Sequence, residues 1–200
     1  MLNNVSVIVP VAGSDRDQTH EVKKILSKTE AEVIFSQEDS RASSLNEGAK
    51  KAKNEFLWFL HVDTSLNENN LKAIEKLSAE GTRCLHYFDL AFSEQGLSKI
   101  NAIGANIRSR VFGLPYGDQG FFMHKEIYEE LKGFPEDAKY GEDLLFIRIA
   151  KNKGIKLKAI NSKLHTSARK YIKQGWLKLT LLRQVQMCKL LVKKLSLIHI

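Results

Sequence analysis

The feature that most restricts how this chain can fold is the alternation of short apolar runs with segments of helical periodicity. Val5-Ser6-Val7-Ile8-Val9, closed by Pro10, is rich in β-branched residues and reads as a strand buried on both faces. Val22, Ile25 and Leu26 then recur at helical spacing. Glu32-Val33-Ile34-Phe35 is a second short strand, and Leu45, Ala49 and Ala52 mark one face of a second helix. Glu55-Phe56-Leu57-Trp58-Phe59-Leu60 is a third strand, again continuous in apolar character. Ser65-Leu66-Asn67-Glu68 has the form of a capping box, and Leu71, Ile74 and Leu77 continue that helix. Strands alternating with helices need crossover connections, and these imply a mainly parallel sheet flanked by helices, an α/β fold.

The second half is less regular. Cys84 through Phe92 reads as a strand, and Ile100, Ile103, Ile107 and Val111 line a helix. Gly113-Leu114-Pro115-Tyr116-Gly117-Asp118-Gln119-Gly120 is a loop dense in turn formers that feeds the strand Phe121-Phe122-Met123. Glu142 to Lys153 is a helix closed by Gly154, and Ile155 to Ile160 alternates apolar and basic residues as a half-exposed strand does. The expected organisation is one domain over residues 1–175, followed by a basic amphipathic helical tail over 176–200. Leu177, Leu181, Cys188, Leu191, Leu195 and Ile198 keep to one side of that tail.

Charge divides the chain more sharply than structure does. The first 143 residues hold all 23 Asp and Glu against 17 Lys and Arg, whereas residues 144–200 hold 14 Lys and Arg and no acid. Such segregation points the tail at something anionic. Two readings of residues 176–200 stand together. One is a helix packed on the domain with its cations solvated. The other is an interfacial helix on anionic lipid, with Trp176 near the headgroups and Lys178, Arg183, Lys189, Lys193 and Lys194 supplying attraction. Nucleic acid is disfavoured, because aromatic residues are not interleaved with the cations.

Cys84 and Cys188 fall in no metal or redox spacing and read as structural thiols in a reducing compartment. The N-terminus lacks the basic start and apolar stretch of a signal peptide, and no segment is apolar for the length of a spanning helix. The expected location is cytoplasmic, with a peripheral position on the inner face of the membrane if the tail binds lipid.

Ligands of open α/β sheets bind beyond the carboxyl ends of the strands. That rule selects Pro10 to Gly13, Glu38 to Arg41, and His61-Val62-Asp63-Thr64. A carboxylate such as Asp63 at the end of a buried strand suits a hard cation, although a turn or helix-cap role fits the same position.

A longer string carries a resemblance. Arg41-Ala42-Ser43-Ser44-Leu45-Asn46-Glu47-Gly48-Ala49, then Ala52, then Phe56 to Thr64, resembles the nucleotide-sugar-binding half of family-2 glycosyltransferases with the GT-A (Rossmann-like) fold. The likeness is to a small subset with His-x-Asp-Thr in place of Asp-x-Asp. Gly113 to Gly120, Gly133-Phe134-Pro135 and Glu142-Asp143 match the acceptor-side half of that subset, and Thr166-Ser167-Ala168-Arg169 resembles its C-terminal signature.

The resemblance implies a metal-dependent transferase that moves a sugar from a UDP- or GDP-linked donor to an acceptor hydroxyl with inversion. It implies that Pro10 and Ala12 line the base pocket, that Asp39 hydrogen-bonds the base, and that Arg41 lies near base and phosphates. Asp63 is the implied ligand of Mg²⁺ or Mn²⁺, with His61 where the first Asp of the usual pair contacts ribose or metal. Asp143 is the implied general base and Glu142 its positioner. The resemblance further implies that Asp118 orients donor or acceptor, that His165 is a further metal ligand, and that Arg169 clamps the diphosphate. Each position also has an ordinary reading: an acidic pair at a helix N-terminus, a turn carboxylate, a packed histidine.

Other activities need features the chain lacks. A Rossmann dehydrogenase needs Gly-x-Gly-x-x-Gly after the first strand, where Val11-Ala12-Gly13-Ser14-Asp15-Arg16 stands, and a P-loop enzyme needs Gly-Lys-Ser/Thr. A nucleotidyltransferase on a similar sheet and a non-catalytic nucleotide-sugar-binding subunit remain as alternatives.

Overall fold

The computed structural model describes residues 1–12, 19–93, 98–138 and 140–168, together with 180–182 and 185 of the C-terminal segment. In chain order its elements are β1 (Val5–Pro10), α1 (Thr19–Leu26), β2 (Glu32–Ser36), α2 (Arg41–Lys51), β3 (Phe56–Phe59), β4 (Thr64–Ser65) and α3 (Glu68–Glu80). Then come β5 (Cys84–Phe92), α4 (Ser98–Phe112), a 3-10 turn at Gly117–Gln119, β6 (Phe121–His124), α5 (Lys125–Leu131), α6 (Glu142–Asn152) and β7 (Lys156–Thr166).

The strands form one sheet in the order β2-β1-β3-β6-β5-β7-β4. β1 pairs parallel with β2 and β3, β5 pairs parallel with β7, and β6 and β4 run antiparallel to their neighbours. Five strands therefore share one direction and two oppose it, the mainly parallel mixed sheet expected of the alternating pattern.

Side chains alternate across a strand, so a run that is apolar at every position must be covered on both sides. Ile8, Leu57, Phe59, Tyr87, Phe121 and Met123 enter one core with Leu45 and Ala49 of α2 and with Phe146, Ile147 and Ala150 of α6. Val7, Val9, Phe56, Trp58, Phe88 and Phe122 enter the other with Val22 and Leu26 of α1 and Leu71 and Ile74 of α3. Trp58 and Phe88 are fully buried, their rings 6.0 Å apart. Each such side chain contributes roughly 1.5–3 kcal/mol by leaving water.

Two local expectations change, and the structure adds two features that the sequence left open. Ser65 does not cap α3: it sits in β4 opposite His165, and Asn67 and Asn70 cap the helix reciprocally. β7 runs on to Thr166, because after a register shift near Phe88 its second half pairs with Asp89 through Phe92 of β5. β4 and α5 carry too few residues to show a period. Finally, the aliphatic stripe of α4 points to water, while Ala102, Ala105 and Ser109 form its buried face. Tyr87 donates its hydroxyl hydrogen to the Ser109 carbonyl at 3.0 Å, and the Asn106 side chain bonds both the N–H and the carbonyl of Leu90. Among the described residues no helix is long and apolar enough to cross a membrane. Cys84 is a buried free thiol, and Cys188 lies outside the described residues.

Candidate active site

The strand directions gather the chemistry at one edge. The carboxyl ends of β1, β2, β3, β5 and β7 lie together there, and because β6 is reversed, the loop that precedes it arrives at the same edge. Two clusters form on this edge.

The first is built on His61 and Asp63. His61 Nδ1 lies 2.5 Å from Asp63 Oδ1, with the two side chains 21% and 12% exposed. The same oxygen accepts the hydroxyl of Thr166 at 3.0 Å. Thr166 is buried at the end of β7, opposite Thr64, so the pairing of β4 with β7 brings residues 103 apart in sequence into contact. His165, next along β7, faces Ser65 and Ala91 in the ladder and is partly exposed. Thr166 was part of a recognisable signature, yet only its neighbours His165 and Arg169 drew a role from sequence. Arg169 lies outside the described residues.

The second cluster is built on Arg41. Its Nη1 donates to Glu142 Oε1 at 2.5 Å, a pair 31% and 12% exposed that joins the start of α2 to the start of α6. Asp143 accepts the backbone N–H of Gly117 at 2.7 Å on Oδ2 and that of Leu144 at 2.7 Å on Oδ1. Burial pulls the Arg41 pKa down, but attraction from Asp143 and Glu142, the hydrogen bond to Glu142, and attraction from Asp118 together raise it above its ordinary value. The guanidinium is firmly cationic among three carboxylates. Its Nε is buried and has no hydrogen-bond partner among the described residues.

Gly117 is required here by space. A Cβ on it would stand 2.6 Å from Arg41 Nη2 and 3.3 Å from Asp143 Oδ2, displacing the guanidinium. The loop is fixed from below by Gln119, fully buried, whose amide donates to the Phe88 carbonyl at 2.9 Å and to Ser109 Oγ at 3.0 Å. Asn46 holds the Gly133-Phe134-Pro135 segment in the same way. It donates to the Phe134 carbonyl at 2.9 Å and accepts from Phe134 N–H at 2.8 Å and from the Tyr128 hydroxyl at 2.6 Å. Gly117, Gln119 and Asn46 are thus supporting residues that sequence placed in motifs without assigning a task.

The remaining positions take their places around these clusters. Pro10 is buried at the end of β1 beside Ser36 of β2, Ala12 is exposed just beyond, and Asp39 is exposed in the connection from β2 to α2.

The fit of a divalent cation rests on Asp63. Among the described residues no group of three or more His, Cys, Asp or Glu could hold a metal by itself. Mg²⁺-type ions, however, commonly take one or two carboxylates and complete their shell with substrate phosphates and water. One aligned carboxylate at the mouth of a strand fits that mode and not a preformed cage.

The sheet has solved counterparts. A crystal structure of S. aureus TarS 1-349 matches with a TM-score of 0.60 and 16% identity, over 82% of this chain and 60% of that one. The crystal structure of S. aureus TarS matches with a TM-score of 0.57 and 16% identity, over 82% and 37%. TarS 1-349 in complex with UDP-GlcNAc matches with a TM-score of 0.51 and 17% identity, over 82% and 56%. TarS is a glycosyltransferase of GT-A-like fold. The present chain shares that fold. It spans 60% or less of the length of these structures, and at such identities the likeness is one of architecture. No family model matches the chain, and no curated protein matches it.

Proposed function

We propose that the protein is an inverting, metal-dependent glycosyltransferase of the family-2 type that moves a sugar from a nucleoside-diphosphate sugar to an acceptor hydroxyl. The observation that supports this reading best is the fixed carboxylate of Asp143, held by Gly117 and Leu144 N–H groups on the same sheet edge as Asp63. The two backbone bonds orient the carboxylate and leave lone pairs on each oxygen for an acceptor hydroxyl.

In the proposed reaction the acceptor oxygen attacks the anomeric carbon and gives its proton to Asp143. The bond from that carbon to the diphosphate breaks, and the diphosphate leaves with the electron pair. Asp63, with His165 as a further ligand, would hold Mg²⁺ or Mn²⁺, which when bound would supply Lewis-acid neutralisation of the leaving diphosphate. Thr166 and His61 orient Asp63. Glu142 engages Arg41 and keeps Asp143 aligned, while Asp118 approaches donor or acceptor from the Gly-rich loop. Pro10, Ala12 and Asp39 receive the base, and Arg169 meets the diphosphate. Because the TarS complex holds UDP-GlcNAc, UDP-sugars are the first donors to screen, with GDP-sugars next. For the basic tail we propose an anionic membrane surface as partner, which places the protein at the cytoplasmic face of that membrane.

A thermal-shift screen of nucleoside diphosphates and their sugars, with and without Mn²⁺, tests the reading. A ligand at about a hundred times its Kd stabilises the folded state by about 2.7 kcal/mol, a readable shift. A shift that needs both UDP-sugar and Mn²⁺, together with transfer or hydrolysis of that donor, is the expected result. No shift and no turnover across the panel would refute it.

A further inference from the structure

α4 buries the wrong face for an ordinary core helix. It docks on β5 through Ala102, Ala105, Asn106 and Ser109, and its large aliphatic residues are left outside. Ile100, Ile103, Ile107 and Val111 are 54%, 60%, 53% and 68% exposed, and Phe112 at the helix end is 62% exposed. Steps of three and four residues put the first four on one stripe. Scattered exposed apolar side chains are ordinary, but an unbroken stripe along fifteen residues of helix marks a surface that meets something apolar.

A second observation lies beside it. Residues 180–182 are helical, and Thr180 Oγ1 accepts the amide of Asn101 on α4 at 3.0 Å. Leu181, Leu182 and Val185 are 64%, 49% and 43% exposed, so this neighbouring helix also leaves apolar residues uncovered. Charge narrows the choice of occupant. Residues 169–200 carry eight Lys and Arg and no acid, and residues 98–112 carry no acid either. A second copy of the chain would bring like charges together. Arg110 of α4 is ion-paired with Asp89, and the remaining charge of the two segments is cationic; aliphatic side chains with such charge are what an anionic bilayer accommodates, with aliphatics among the acyl chains and cations at the phosphates.

We propose that the exposed stripe of α4, with the helical residues 180–182 beside it, is a docking face that inserts into an anionic lipid surface. This extends the tail reading above, which concerns residues 176–200, by naming α4 as a further inserting element. The face is coupled to the site: Arg108 of α4 donates to the Leu114 carbonyl at 2.9 Å and stacks 3.6 Å over Tyr116, so α4 and the loop bearing Gly117 and Asp118 form one piece. Docking therefore holds that end of the site at the lipid surface.

The test is co-sedimentation of the full chain with vesicles of phosphatidylglycerol and phosphatidylcholine in equal parts, and with phosphatidylcholine alone. Three forms are compared: wild type, Ile103→Ser/Ile107→Ser/Val111→Ser, and Lys189→Glu/Lys193→Glu/Lys194→Glu. Wild type is expected on the anionic vesicles only, with binding that falls as salt rises. The α4 variant is expected to bind about tenfold or more weakly while keeping the wild-type melting temperature, since the replaced side chains face water. Ile103→Trp supplies an independent reading, with brominated lipid expected to quench its fluorescence beyond that of the parent chain. If wild type ignores anionic vesicles, both the tail reading and this one fail. If the Lys variant loses binding while the α4 variant binds normally and brominated lipid leaves the added indole unquenched, charge alone docks the protein and α4 is not inserted. A wild-type dimer that the α4 variant converts to monomer would assign the face to a second copy instead. Donor binding measured in the same preparations separates all of these from the glycosyltransfer reading.

Discussion

The two clusters on the active edge are assembled in opposite ways. The His61–Asp63 cluster is local: two residues separated by Val62 alone, at the mouth of a single strand, are tied down by one distant hydroxyl from Thr166. The Arg41 cluster is wholly non-local, since Arg41, Gly117, Glu142 and Asp143 come from three separate connections. The first has one carboxylate facing an imidazole and a hydroxyl. The second has three carboxylates around one guanidinium, an excess of negative charge. On the proposed reading, a cation that neutralises a diphosphate would belong with the first, and a proton acceptor with the second. The contrast teaches that the cluster fixed by neighbours in sequence can be read early, whereas the one fixed by topology needs the sheet to exist first.

The largest effect that would break this division is on turnover. Asp143→Asn is expected to lower transfer by about 10²–10⁴-fold while donor affinity stays within error, measured by steady-state kinetics and calorimetry. Equal loss of donor binding would erase the distinction between the clusters. Asp63→Ala is expected to do the reverse, weakening donor binding in Mn²⁺ by roughly ten- to a hundredfold and removing the metal dependence of the thermal shift. Unchanged metal dependence would move the ion elsewhere.

A third expectation separates acid sensitivity of the fold from that of the clusters. Burial, helped by Lys158, holds the His86 imidazole down to about 4, against attraction from Glu80. Its folded pKa is below the unfolded one, so the unfolded chain binds the extra proton between the two. The stability it contributes is complete above about pH 6.5 and is lost as pH falls toward 4. Urea unfolding should show a loss of about 2 kcal/mol between pH 7 and 5, absent in His86→Phe. A variant as acid-sensitive as wild type would place the titration in the clusters. The smallest effect is Thr166→Val, which removes the hydroxyl from Asp63 and should cost about 1 kcal/mol with a few-fold weaker donor binding. A null result on both would mean that Asp63 is oriented by His61 alone.

Much of the architecture was legible from residue order. Val5–Val9, with Ser6 its one polar position, and Phe56–Leu60 are runs buried on both faces, and with the half-buried edge run Val33–Phe35 they announced a parallel sheet with helices on each side. Asp63 followed from its place after such a run. Less visible were the cap of α3, where Asn67 competed successfully with Ser65, and the length of β7, which depends on β5 beside it. Periodicity identified the stripe of α4 but not its direction, because a period says which residues share a face and not which face meets the core.

The sequence alone therefore determined the strand-helix alternation, the carboxylates at the strand ends and the division of charge along the chain, since each depends on near neighbours. The tertiary structure decided that Thr166 reaches Asp63, that Arg41 answers Glu142 across 101 residues, and that α4 turns its aliphatics outward. Those outcomes depend on which strand lies beside which, and strand order is a property of the assembled sheet that no local pattern encodes.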